Sequence, residues 1–305
     1  MNTPRHPAQV EVARRADQGA ALILRGVVLN LVLALVKLAG GLLGNTYALI
    51  ADAVESFIDV ITSLLVWAGF QVAKQPPDAE HPYGHGKAEP LAALFVSGVM
   101  ILAAVWIAVH AVHEIRVPHA PPRAFTLPLL VGVVIVKLWF SRRLQKQGLD
   151  SGSTALAAES THHGADALTS AAAFVGIVVA LIGGDAYATA DDWAALAASV
   201  VIGANGILVG VKALREIMDS TAHGELEQAV RALASDVEGV IAIEKCRVRK
   251  SGLSHLVDIH VIVDGEITVR AGHDIAHAVK DALTHSDRTI TDALVHIEPA
   301  VARPD

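Results

Sequence analysis

The stretch Tyr47–Val72, YALIADAVESFIDVITSLLVWAGFQV, decides the fold. It is apolar and long enough to cross a bilayer, which takes roughly 20 mostly apolar residues in a helix. Yet it carries Asp52, Glu55, Ser56 and Asp59. At about 100° per residue, Glu55 and Asp59 fall one turn apart on one face, and Asp52 lies on that face a further turn away. Each charge placed inside a membrane costs roughly 3 kcal/mol or more on insertion. Such residues persist where they pair, face water or hold an ion.

Working outward, five more segments have spanning length: Ala20–Leu43, Pro90–Ile115, Phe125–Leu144, Thr154–Ile182 and Trp193–Leu214. The expectation is therefore six transmembrane helices. Composition agrees: of 305 residues, 53% are hydrophobic but only 4% aromatic, so Ala, Val, Leu and Ile dominate. The mean hydropathy of +0.47 is high for a soluble chain of this size. The net charge of −7 argues against nucleic acid as a partner. The single cysteine, Cys246, rules out an internal disulfide and a Cys-rich zinc cluster. The first eighteen residues are polar and show no signal-peptide pattern. Lys and Arg gather in that arm (Arg5, Arg14, Arg15), after the second span (Lys74, Lys87) and after the fourth (Arg142, Arg143, Lys146). The positive-inside bias then puts both termini of this multi-pass membrane protein in the cytoplasm.

Beyond Asp219 the pattern changes. Residues 221–236 read as an amphipathic helix, Val240–Lys250 and His255–Val263 alternate like strands, Val269–Thr284 reads as a helix and Ala293–Ile297 as a strand. This predicts a small α+β domain of αββαβ order. The expected division is a cytoplasmic arm over 1–18, a six-helix membrane domain over 19–218 and a cytoplasmic domain over 219–305.

Three polar clusters carry chemistry. The fifth span holds His162 and Asp166 at i, i+4, matching the Glu55/Asp59 pair of the second. A lone buried acid can serve a hydrogen-bonding network, but matched pairs on two helices point to an ion. Three carboxylates and an imidazole make four ligands, enough for tetrahedral Zn²⁺ and suited also to Mn²⁺, Fe²⁺ or Co²⁺. His163, about 100° round the helix, is expected to pack rather than ligate. The second cluster, Asp78, His81 and His85, lies in a loop tightened by prolines and glycines. In the third, Glu244 and His260 sit on neighbouring strands, His273 on the second helix of the domain, and His296 and Glu298 two apart on the last strand, where both face one side.

The motifs VKLAGGLLGNTYALIADAVESFIDV (36–60), HPYGHGKAE (81–89), HHGAD (162–166) and VHIEP (295–299) resemble the cation diffusion facilitator family in its bacterial zinc/iron type, over roughly residues 15 to 300. The resemblance implies a homodimer in the lipid bilayer that exchanges metal for protons, with a metallochaperone-like cytoplasmic domain. It implies a transport site at Glu55, Asp59, His162 and Asp166, a loop site at Asp78 and His85 with His81 nearby, and a cytoplasmic binuclear site at Glu244, His260, His273, His296 and Glu298. It also implies a charge interlock between Lys87 and Asp219, and leaves Asp52 as an accessory to the transport site. Two departures bear on the metal. Glu55 stands where the family commonly has His or Asp, which keeps zinc in front but strengthens iron, manganese and cobalt, with cadmium also open. Glu244 and Glu298 replace His and Asp of the bacterial zinc type, which weakens or deletes one of the cytoplasmic metals.

The expected cycle binds metal to deprotonated ligands inside and expels it as protons bind outside. His162 is the natural coupling residue, since an unperturbed imidazole titrates at about 6.5. No HExxH helix, G-x-S-x-G elbow or P-loop is present, which sets enzymes and ATP-driven pumps aside. A non-transporting membrane sensor or scaffold of the same architecture is the competing reading.

Overall fold

A computed structural model describes residues 7–44, 47–116, 126–183, 189–220, 224–285 and 290–300, without the side chains of a few helical positions, Asp52 and Glu55 among them. Six long helices come first: α1 (Pro7–Gly44), α2 (Tyr47–Ala73), α3 (Ala88–Arg116), α4 (Thr126–Ser151), α5 (Thr154–Gly183) and α6 (Ala190–Ile217). Then follow α7 (Gly224–Ser235), β1 (Ala242–Ser251), β2 (Ser254–Val263), α8 (Val269–Thr284) and β3 (Ile290–Pro299).

Among the described residues, Val10–Ala39, Ala88–Arg116 and Asp192–Ile217 are long and apolar enough to cross a membrane. In α4 and α5 the polar residues gather in one half of the helix. The second half of α4 reads SRRLQKQGLDS, and the first half of α5 holds Glu159, His162, His163 and Asp166. Where the N-terminal arm is described, from Pro7 on, it is helical. Pro7 suits a first helical turn, and Glu11 pairs with Arg14 at 2.6 Å and Arg15 at 2.7 Å, so α1 begins well before its apolar stretch.

The chain divides into two compact units. One comprises Gln18–Gln71 and Ala88–Leu214. Its polarity is inverted relative to a soluble bundle. Leu102, Val105, Trp106 and Val109 of α3 are more than half exposed, while Asn30, Lys37, Asp59, Glu89, Lys137, Glu159, His162 and His163 are buried. Apolar outside and polar inside is the arrangement lipid favours. Small residues bring α3 and α6 close. Ser97 Oγ donates to Gly206 O at 3.0 Å, and a Cβ at Gly210 would stand 2.5 Å from Ser97 Oγ.

The other unit comprises Met1–Asp17, Val72–Lys87 and Arg215–Asp305. Its sheet runs β1-β2-β3, with β1/β2 antiparallel and β2/β3 parallel. The β1–β2 hairpin closes on Gly252 (φ 63°), the glycine a two-residue turn needs at its first position. The parallel β2/β3 pair requires a crossover, and α8 supplies it. Thr268 caps α8 by accepting from Ala271 N at 3.2 Å. Val248, Val257, Ile259 and Val261 of the sheet bury against Val230 and Ala234 of α7 and Val279 and Leu283 of α8. The αββαβ order matches the sequence expectation; β1 starts two residues later and ends one later than expected, β2 starts one earlier, and β3 is longer at both ends.

Candidate metal centres

The first centre lies between α2 and α5. Asp59 Oδ1 is 3.1 Å from His162 Nε2, and His162 Nδ1 is 3.9 Å from Asp166 Oδ1. One ligand atom from each of the three lies within 4.8 Å of the others. Asp59 and His162 are buried and Asp166 nearly so. Glu55 and Asp52 lie outside the described residues as side chains, so their part rests on helical spacing.

A fourth group, outside the i, i+4 pairs, completes the cluster. Lys137 of α4 is buried, and its Nζ donates to Asp166 Oδ2 at 2.6 Å and to Asp59 Oδ2 at 3.2 Å. The signal was available: Lys137 is the single charge in PLLVGVVIVKLWF, and an intramembrane lysine marks a functional site as strongly as an intramembrane acid. Around this core, Ser63 Oγ donates to Glu159, and Lys37 Nζ donates to Ser56 Oγ at 3.0 Å. His163 packs edge-on against Phe140, with ring centroids 5.1 Å apart. It sits with the packing groups, as its helical position suggests.

The second centre is the loop after α2. Asp78 makes an Asx turn: its Oδ1 accepts from Glu80 N at 3.0 Å and His81 N at 2.6 Å. Those bonds hold its carboxyl below the usual carboxylate range. The turn delivers His81 Nδ1 to 3.4 Å and His85 Nε2 to 3.5 Å from the carboxylate, with the two rings 4.3 Å apart. Gly84 (φ 81°) makes the bend.

The third centre lies on the sheet. His260 and His296 are register partners across the parallel β2/β3 pair, with ring centroids 4.9 Å apart. Glu298, two residues on, receives His260 Nδ1 at 2.6 Å and lies 3.7 Å from His296 Nε2. Hydrogen bonding to the Glu244 carboxyl, and then to His260, holds the Glu298 carboxyl below its usual range. Glu244 joins through a backbone irregularity. The β1/β2 register shifts between Ile243 and Lys245, and the extra residue turns Glu244 toward His260, 3.7 Å away. His273 stands apart on α8, its ring 4.4 Å from that of His277.

Lys87 and Asp219 meet at 2.9 Å, and Lys87 also donates to Ile217 O at 3.0 Å. Asp219 ends α6 in a left-handed conformation (φ 56°). Ser220 N donates to Arg215 O at 2.9 Å and Asp219 N to Glu216 O at 3.2 Å, the bond pair of a Schellman cap. Glycine is the usual residue there, so an aspartate is held at some cost in strain. Its carboxylate is the reason: Lys87 binds one oxygen and Arg249 the other, at 3.3 Å. The pair is substantially exposed and so contributes about 1 kcal/mol or less. Asp219→Ala loses both cations and keeps the strain, whereas Asp219→Gly loses the cations and relieves it. Thermal unfolding of the two variants should place Asp219→Gly above Asp219→Ala, and transport should fall in both.

Residues 23–218 match the cation efflux transmembrane domain, and residues 222–300 the cytoplasmic domain of cation efflux proteins, a domain through which they dimerise. The manganese efflux system protein MneP of Bacillus subtilis is 27% identical over 94% of this chain and 98% of its own length. The magnetosome protein MamM of Paramagnetospirillum magneticum is 32% identical over 90% of this chain and 86% of its own. The cation-efflux pump FieF of Shewanella oneidensis is 27% identical over 97% and 98%. Intramembrane acids paired with an imidazole, and two domain matches covering the chain from residue 23 to residue 300, lead to one conclusion. This chain belongs to the cation diffusion facilitator family, membrane transporters that carry divalent metal cations out, and is not an enzyme.

Proposed function

We propose that the protein exports a divalent transition metal across the cytoplasmic membrane in exchange for protons, with both termini in the cytoplasm. The observation that carries this reading is the buried Asp59, His162 and Asp166 cluster between α2 and α5. Glu55, one turn from Asp59, completes a four-ligand set of three carboxylates and one imidazole, which suits Zn²⁺ first. Fe²⁺, Mn²⁺, Co²⁺ and Cd²⁺ fit the same oxygen-rich donors less selectively. The manganese named for MneP makes Mn²⁺ the first competitor to test.

Metal binds deprotonated ligands and is expelled when the outward-facing site takes up protons, His162 being the coupling group. Asp78, His81 and His85 form a loop metal site. Glu244, His260, His296 and Glu298 form a cytoplasmic one, and His273 joins from the partner of a homodimer or not at all. Metal at the cytoplasmic site biases the dimer toward one arrangement if it binds that arrangement more tightly.

The test is flux into vesicles that hold a metal-sensitive dye under an imposed pH gradient, with Zn²⁺, Mn²⁺, Fe²⁺, Co²⁺ and Cd²⁺ in competition. Zn²⁺ is expected to win, and the gradient to set the rate. Flux indifferent to the gradient sinks the antiport. No flux of any metal, with binding retained at residues 219–305, assigns a sensor instead.

A further inference from the structure

The geometry points to Lys137 as a tethered cation that takes turns with the metal at the transport site. This rests on the reading of Asp59, His162 and Asp166 as that site. Lys137 comes from a third helix, α4, and its ammonium lies between the two aspartates, closer to Asp166 than to Asp59. Asp59 Oδ1 faces His162 Nε2 while Oδ2 faces Lys137, so one carboxylate bridges the imidazole and the ammonium.

Two physical constraints follow. A bound zinc would sit roughly 2.0–2.2 Å from an oxygen of each of these two carboxylates. An ammonium 2.6 Å from Asp166 Oδ2 and 3.2 Å from Asp59 Oδ2 is driven from that position, because two cations would then share both carboxylates in a dry interior. Conversely, two buried carboxylates with no cation are costly like charges. Lys137 solves the second problem by creating the first. Its four-carbon stem is flexible enough to withdraw the head when metal enters and return it when metal leaves. It acts by charge and position alone.

The device has a kinetic signature. A tethered competitor is present at high effective concentration, so it weakens the apparent affinity for metal and speeds release. It also spares the unloaded carrier from reorienting with bare carboxylates in low dielectric. Removing the charge should therefore tighten metal binding and slow turnover together, a split that damage to packing does not produce.

The experiment measures initial rates of Zn²⁺ and Mn²⁺ uptake into vesicles against metal concentration, for full-length wild type, Lys137→Met, Lys137→Arg and Asp59→Asn. Lys137→Met should lower KM by about ten-fold or more and lower kcat as well. Lys137→Arg keeps the charge and should hold KM within about three-fold of wild type. Lys137→Gln replaces the Met variant if that one fails to fold. Unchanged or raised KM in the neutral variants, with flux lost in Asp59→Asn, overturns the tethered cation and leaves the site standing. Full flux in Asp59→Asn overturns the site itself.

Discussion

Asp59→Ala and Asp166→Ala should each cut metal flux by at least about 100-fold, since even groups that only support a metal ligand cost 10- to 100-fold when removed. Two effects combine. On the proposed transport site each variant removes one oxygen donor, and a tetrahedral ion has no spare ligand to lose. Each also strips one carboxylate from Lys137, which is buried with both. A buried cation left with half its counter-charge is strongly unfavourable and pulls water or a rearranged helix into the site. The Asn variants separate the two effects, because Asn keeps shape and one oxygen while losing charge. Flux into dye-loaded vesicles, with size-exclusion profiles to show intact dimers, checks the expectation. Wild-type flux in either Ala variant would remove that residue from the transport site.

Much of this site is legible in the sequence. The i, i+4 pairs are local: once a helix is assumed, spacing places both side chains on one face, and Asp59, His162 and Asp166 do come together. The same holds for His296 and Glu298, whose common face follows from strand alternation. What spacing cannot supply is contact between elements far apart in sequence. Lys137 illustrates this. Its charge was visible in an apolar run, but its placement against Asp59 depends on how α4 packs beside α5 and α2. Glu244 is a second case. The β1/β2 ladder pairs Ile243 with Val261 and then Lys245 with His260, and Glu244, the extra residue between them, reaches the cluster. Nothing in the local pattern announces that irregularity. The Asp219 carboxylate is a third case, since a left-handed aspartate at a helix end is invisible to periodicity and is explained by two cations from distant segments.

Glu89→Ala should destabilise the helical unit by about 2–3 kcal/mol, the cost of leaving a buried hydrogen-bonding group without its partner. Glu89 closes the HPYGHGKAE motif and is fully buried at the start of α3. Its Oε1 accepts from Ser153 Oγ at 2.6 Å and from Ala155 N at 2.8 Å. Ser153 is the N-cap of α5, its Oγ accepting from Leu156 N at 3.0 Å. The first turn of α5 therefore has two of its open N–H groups satisfied, one by its own cap and one by a carboxylate from another helix. The negative charge also faces the positive end of the α5 dipole. Alanine removes the acceptor and leaves Ala155 N–H and the Ser153 hydroxyl in a water-poor interior. The effect reaches function because α5 carries His162 and Asp166 about two and three turns further on. A loosened first turn lets both drift from Asp59, so flux should fall along with the unfolding temperature. Glu89→Gln keeps an oxygen acceptor for Ala155 N and should retain most of the stability and flux. If Glu89→Ala unfolds at the wild-type temperature in detergent, the cap contributes little and α5 is held by packing alone.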